Sequence, residues 1–200
     1  MSYQKWLVCI LVVAGAIALG CEYLLVRWYP GHETRVRASV LRELPYQNGG
    51  LGVQMKVAAG IYGKVQDSLG SVKIYRRALL GGGPSITLTS LPNTTGSAQL
   101  SPQYLATLET AGVRNQLTGY QFEHLTLNAR DAVMIWQYQP GSRSMRVTAR
   151  IMAPDRVLEA VCSTGSGNQG LYTRACDESL RSIALAGPPS QLPKLEQVVN

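Results

Sequence analysis

The feature that most constrains this chain is an apolar N-terminal segment. Residues 6–20 carry no charge, and they follow a short polar stretch that contains Lys5. A cationic start followed by an apolar run is typical of a secretory signal. The sequence therefore predicts export to the cell envelope, with residues 1–26 serving as a signal or anchor separate from the folded domain.

Three interpretations of this segment remain open. Ala18-Leu19-Gly20-Cys21 resembles a bacterial lipobox, in which the thiol of Cys21 would carry the lipid. The Ala-x-Ala sequences at 14–16 and 16–18 suit ordinary signal peptidase. If the segment stays uncut, residues 6–26 are long enough to cross a bilayer core of about 30 Å.

The charges and the cysteines that follow favour different compartments. Several arginines lie after the segment, and the positive-inside rule then favours a cytoplasmic C-terminus for an uncut helix. Against this, Cys162 and Cys176 are the two cysteines outside the segment, and an even pair in an exported domain predicts a disulfide. The alternative is two unrelated buried thiols.

Regular patterns begin after a linker at 27–50. Apolar and polar residues alternate in several stretches, which predicts strands at 53–57, 85–89, 121–127, 132–138, 145–151 and 157–162. Ser101-Pro102 suits the start of a helix that ends near Gly112. A second helix is predicted at 171–185, and residues 187–200 are predicted to form a mobile tail.

This order of elements predicts the fold class. Strands, one helix, two hairpins and a last helix favour an α+β domain at 51–186, in which two helices pack on an antiparallel sheet as an α/β/α sandwich. Cys162 would end a strand, and Cys176 would face the sheet from the last helix. A disulfide between them would attach that helix to the sheet.

These features together resemble the PsbP-like and DcrB-like group of small α/β/α sandwiches, which often occur on exported or lipid-anchored chains. The features that carry this resemblance are the helix that begins at Ser101-Pro102, the hairpin that ends in residues 132–136, and the last strand pair with its following helix. The resemblance implies binding and assembly roles rather than catalysis. It provides no catalytic residues.

The charge of the chain favours anionic partners. The net charge is +7, from 19 Lys and Arg against 12 Asp and Glu. Arg146 and Arg150 have even spacing on one strand, so their side chains point to the same side of the sheet. With Arg143, and with Arg130 on the neighbouring hairpin, they predict a cationic patch; the alternative is an ordinary solvated face. Nucleic acid is not a predicted partner, because no interleaved aromatic residues accompany these arginines.

Motifs for catalysis, metals and cofactors are missing from the sequence. Two distant histidines and two paired cysteines do not make a zinc set. The glycines at 81–83 precede Pro84 rather than the Gly-Lys-Ser/Thr of a phosphate loop. A hydrolase that uses His124 with Asp131 and a serine is the least favoured alternative. The sequence predicts neither an enzyme nor a cofactor.

We therefore expect a non-enzymatic protein-binding module, anchored in the envelope on its periplasmic side. An assembly factor and an immunity-type inhibitor of a secreted toxin both fit this description. The alternative is a structural subunit of an inner-membrane complex, held by an uncut N-terminal helix. The sequence indicates neither the identity of the protein partner nor the face that binds it.

Overall fold

The computed structural model describes residues 3–24, 35, 37–76, 83–114, 119–139, 141, 143–165 and 169–186. The chain divides into two units, Met1–Val40 and Leu41–Asn200. The predicted tail at 187–200 lies outside the described residues, and so does most of the predicted linker before residue 37.

In the first unit, the described residues form helical segments. Helix α1 spans Tyr3–Tyr23, and residues 37–40 are also helical. Large apolar side chains are exposed around α1, among them Trp6, Leu11 and Leu19. Among the residues that the structure describes, no helix has both the length and the hydropathy that a membrane crossing requires.

The described residues of the second unit form two antiparallel sheets and two helices. One sheet has three strands in the order β1-β2-β10, and the other has seven in the order β3-β4-β5-β9-β8-β7-β6. This architecture confirms the predicted α+β class. The elements are β1 Glu43–Asn48, β2 Val53–Ala58, β3 Lys64–Ser68, β4 Ser71–Tyr75, β5 Ser85–Pro92, α2 Pro102–Arg114, β6 Gln121–Leu127, β7 Arg130–Gln139, β8 Ser144–Met152, β9 Arg156–Ser163, α3 Gln169–Arg181 and β10 Ala184–Leu185.

The seven-stranded sheet has an inner face that holds most of the core. Alternation places apolar side chains of neighbouring strands side by side, as in the aligned set Leu88, Ala160 and Ala149, none of which is exposed. Helix α3 lies on this face, where it contacts β8, β9 and also β2 of the smaller sheet. Burial of these side chains supplies the main driving force for folding.

The opposite, outer face carries α2 over only part of its width. Leu100, two residues before this helix, and Leu108, in its middle, form a small buried cluster with Val133 and Met152. Val133 faces outward because it lies next to the inward-facing Ala132 and Met134 on β7. The two helices therefore occupy opposite faces, as the predicted sandwich requires.

Two boundaries differ from the sequence interpretation. Residues 43–48 were assigned to the linker, yet they form β1, which pairs with β2 along its whole length. Pro45 is tolerated because β1 is an edge strand, and the strand shows no alternation because its first half is exposed on both sides. The predicted last helix instead ends at Arg181. The Ser182 hydroxyl bonds both backbone groups of Lys56, and the chain continues beside β2 as β10.

The turn between β6 and β7 has an unusual backbone. Asn128 and Ala129 have φ angles of 46° and 62°, which are typical of the type I′ turn that suits a two-residue hairpin. Asn tolerates this conformation, and its side chain also donates a hydrogen bond to the Ile183 carbonyl, 2.7 Å away. Ala129 is strained, because its Cβ crowds the backbone when φ is positive.

We expect the substitution Ala129→Gly to stabilise the domain. Relief of the left-handed strain, at about 1–2 kcal/mol, exceeds the added entropy of glycine in the unfolded chain, which leaves a net gain of about 0.5 kcal/mol in the free energy of unfolding. Denaturant titration measures this change. The control Ala132→Gly, at a fully buried strand position, is expected to lower stability. A loss of stability in Ala129→Gly would contradict the strain argument.

Candidate functional site

The most distinctive polar arrangement on the outer face is centred on Arg150. Arg150 and Glu159 lie directly opposite each other on β8 and β9, and the guanidinium Nη2 donates to the Glu159 carboxylate at 2.7 Å. The guanidinium also lies over the ring of Tyr104, 5.1 Å from its centroid. A cross-strand carboxylate and an aromatic ring from α2 therefore fix the direction of this side chain.

Arg150 and Tyr104 line a concavity that we call the α2 groove. Its volume is about 570 Å³, which is in the range of small-molecule sites. The bottom is apolar, with Leu100, Met152 and Val157 belonging to the buried cluster under α2. The groove is lined by Leu91, Pro92, Asn93, Thr94, Thr95, Ser97, Gln99, Leu100, Ser101, Pro102, Tyr104, Arg150, Met152 and Val157.

One wall of the α2 groove is a polar loop at 93–99. Asn93 organises it: its Nδ2 donates to the carbonyls of Ser97 and Ala153 at 2.6 and 2.7 Å. Its Oδ1 accepts from both the backbone NH and the hydroxyl of Thr95. The loop is thus held by its own side chains, in the manner of an Asx turn. A wall built in this way exists before any ligand arrives.

The start of α2 is fixed by two side chains. Ser101 Oγ accepts a hydrogen bond from the NH of Tyr104 at 3.2 Å, so it caps the helix as predicted. Asp131 Oδ2 accepts from the NH of Leu100 at 2.6 Å. The other oxygen of Asp131 lies 2.6 Å from His124 Nε2. The β6–β7 hairpin therefore helps to position the helix that forms one side of the α2 groove.

His124 and Asp131 come together, as the hydrolase alternative requires. Within the described part of the chain, however, no serine hydroxyl is hydrogen-bonded to His124, whose partner is Asp131. Asp131 also holds the backbone before α2, which is a structural task. This geometry supplies an oriented imidazole without an adjacent nucleophile.

The four arginines of the predicted cationic patch do not meet at one place. Arg130 begins β7, whereas Arg143 lies in the turn after it. The ten residues of β7, counted from Arg130, separate them by about 30 Å, since each residue adds about 3.3 Å. Arg130 also lies on the inner side of the sheet, two residues before the inward-facing Ala132. Arg146 and Arg150 share the outer face, but Arg150 already pairs with Glu159.

The sequence interpretation missed Tyr104, Glu159 and the loop at 93–99 as parts of a site. Glu159 follows a buried Leu and precedes a buried Ala, so it appeared as an ordinary solvent-facing strand residue. Its link to Arg150 depends on the register between β8 and β9, which the hairpin turn at 153–155 sets. The only signal available in the sequence was the alternation of both strands, together with a short turn.

Cys162 and Cys176 form the predicted disulfide. The bond joins the end of β9 to α3, with the two Cα atoms 5.8 Å apart and both residues fully buried. The hydroxyl of buried Tyr62 lies 3.2 Å from Cys162 Sγ. Burial, with a smaller contribution from Tyr172, raises the pKa of Tyr62 well above its usual value. Tyr62 therefore keeps its phenol proton beside the bridge at pH values at which an exposed tyrosine ionises.

We expect the double substitution Cys162→Ala/Cys176→Ala to lower the free energy of unfolding by about 3 kcal/mol, because the bridge closes a loop of roughly 15 residues in the unfolded chain. Denaturant titration of the oxidised wild type and the variant measures this loss. Cys9→Ala is the control, since Cys9 belongs to the first unit. Equal stability of all three proteins would refute a stabilising role for the bridge.

Comparisons with known proteins assign no family. No protein-family model matches the chain, and no curated protein does so. Solved structures with similarity include LpqN, involved in cell envelope biogenesis of Mycobacterium tuberculosis, with 15% identity, a TM-score of 0.44 and coverage of 72% of this chain and 91% of that one. PA94 from Pseudomonas aeruginosa, a protein of unknown function, has 14% identity, a TM-score of 0.40 and coverage of 68% and 91%.

A third similar structure comes from Bacteroides thetaiotaomicron VPI-5482. It has 9% identity and a TM-score of 0.45, and the match covers 74% of this chain. This chain spans about half the length of that protein, at 49%. The resemblance to the PsbP-like and DcrB-like group stays a prediction.

Proposed function

We propose that this chain is a non-catalytic binding module of the cell envelope, and that it engages a protein partner at the α2 groove. The observation that carries the proposal is the preformed arrangement of Arg150, Glu159 and Tyr104 at the edge of an apolar concavity. Sites of this kind bury an apolar anchor at the bottom and orient it by a few polar groups at the rim.

The residues of the α2 groove suit protein recognition. Arg and Tyr are enriched among the residues that contribute most to protein interfaces. Arg150 is held from two directions before binding, so little side-chain entropy is lost when a partner meets it. The hydrogen bonds of Asn93 fix the facing wall before binding as well, so little entropy is lost there when a partner binds. These properties favour a binding surface over a reaction centre.

The envelope part of the proposal rests on the disulfide and the N-terminal segment. A buried disulfide that joins a strand to a helix is typical of proteins that fold in an oxidising compartment. An apolar helix with exposed side chains on all sides needs a non-aqueous partner or removal by processing. We propose that the segment directs export, and that lipidation of Cys21 attaches the mature chain to the membrane.

Mass spectrometry of the protein from membrane fractions tests the attachment. We expect a mature chain that begins at diacylated Cys21, because the lipobox cleavage removes residues 1–20. Cys21→Ala is expected to leave this lipid off, whereas Cys9→Ala is expected to retain it. An intact Met1 on the membrane-bound protein would instead support the inner-membrane subunit held by an uncut helix.

Photo-crosslinking in cells tests the α2 groove. A crosslinking amino acid at Thr95, in the wall of the groove, is expected to give one discrete protein adduct. The same amino acid at Glu178, on an exposed part of α3, is the control and is expected to give none. Adding Arg150→Ala is expected to reduce the Thr95 adduct about tenfold, since interface arginines contribute more than 1 kcal/mol. An adduct that is independent of Arg150, or absent, would overturn the proposed function.

A further inference from the structure

The outer face continues beyond the α2 groove as an open sheet surface. Here we define the open face as the outward side chains of β3, β4, β5, β9 and β8. Its central residues, such as Thr87, Val161 and Thr148, are half-buried, whereas their inward neighbours Ile86, Cys162 and Val147 are completely buried. Within the described residues, the helix on this side, α2, packs mainly against β6 and covers the far edge of the sheet.

The open face is cationic. Lys64, Lys73 and Arg146 are exposed on it, and among the described residues none of them has an ion-pair partner. Arg150 is a fourth cation, but Glu159, the one carboxylate on this side of the five strands, neutralises it. Three positive charges therefore remain on a surface that has apolar side chains, such as Val161 at its centre, and a larger set of hydroxyl and amide side chains. These are Gln66, Ser68, Ser71, Ser85, Thr87, Thr89, Thr148 and Ser163.

The strand register places these cations around the surface rather than in one spot. Lys64 pairs with Tyr75, Tyr75 with Ser85, Ser85 with Ser163, and Ser163 with Arg146, so Lys64 and Arg146 end one continuous row. Four strand spacings separate them by about 19 Å. Lys73 lies in the next row, with its Nζ 5.9 Å from the centroid of the Tyr75 ring. The hydroxyls of Tyr75, Ser85 and Ser163 lie between Lys64 and Arg146, and Thr87 and Val161 follow Lys73 in its row.

We infer that the open face binds an acidic, elongated segment of a protein partner, with carboxylates that meet Lys64, Lys73 and Arg146. This inference rests on the proposed function and extends it, because the open face is continuous with the α2 groove through Leu91, Val157 and Arg150. An acidic segment supplies the charge that the surface lacks, and its backbone can bond the Ser and Thr hydroxyls. Opposite charges at such a surface also speed the encounter of the partners.

The shape of the sheet favours a chain over a membrane. Neighbouring strands rotate by about 20–25°, so the five strands of the open face turn through roughly 80–100° in total. A planar bilayer reaches only part of a surface with that twist, and Lys64 and Arg146 would not meet it together. A narrow peptide can follow the twist from one end of the row to the other.

A binding measurement with a defined probe tests this inference. The probe is a fluorescent 20-residue polyglutamate, titrated with the purified full chain at low salt. Lys73→Gln/Arg146→Gln is expected to weaken binding about tenfold, because the two exposed ion pairs together contribute about 1.4 kcal/mol. The matched control, Lys56→Gln/Arg174→Gln, removes the same two charges from β2 and α3 and is expected to change affinity less than threefold.

Three results would overturn the inference. The first is equal weakening in both variants, because net charge alone would then attract the probe. The second is that the wild type does not bind polyglutamate. The third is that phosphatidylglycerol vesicles bind more tightly than polyglutamate and that this binding depends on Lys73 and Arg146. The crosslink from Thr95 distinguishes failure of this inference from failure of the proposed function. A Thr95 adduct that persists at full yield in Lys73→Gln/Arg146→Gln leaves the α2 groove in place and removes only the acidic segment.

Discussion

The antiparallel register of β5, β9 and β8 is the constraint on which the rest of the domain depends. It divides the larger sheet into an inner face that is sealed and an outer face that is open, because side chains alternate strictly between the two. A shift of one residue would turn Cys162 away from Cys176 and Glu159 away from the outer face. The disulfide and the Arg150–Glu159 pair are thus two consequences of the same alignment, one on each face.

The two sheets are joined by a buried cation rather than by apolar contacts alone. Arg156, at the start of β9, lies near the carbonyls of Gly52 and Ala186, and its guanidinium also pairs with Asp155. Gly52 precedes β2 and Ala186 follows β10, and because these strands are antiparallel, both carbonyls lie at the same end of the smaller sheet. This one side chain therefore attaches that end of the smaller sheet to β9. A buried arginine is costly unless its donors are paired, and here Nη1 donates to the Asp155 carboxylate while Nη2 donates to the two backbone carbonyls.

Much of the strand layout follows from local pattern, whereas the candidate site does not. Alternation and turn residues predicted β6 with its observed bounds and placed the helix start at Ser101-Pro102, since both signals lie within a few residues. Edge strand β1 was missed because exposure on both sides leaves no alternation. Lys64 and Lys73 were missed as partners of Arg146, because only the strand order β3-β4-β5-β9-β8 brings residues so distant in sequence into one surface.

The unequal use of the two faces is the reason that the proposed partner is assigned to the outer one. The inner face is committed to α3, to the smaller sheet and to a disulfide, and opening it would expose the main core. The outer face offers a groove at one end and hydroxyl-rich strands beside it, and neither needs to unfold to receive a partner. Arg150 lies where these two parts join. If a partner buries an apolar side chain in the α2 groove beside Tyr104, the adjoining part of its chain therefore lies next to the cationic strands.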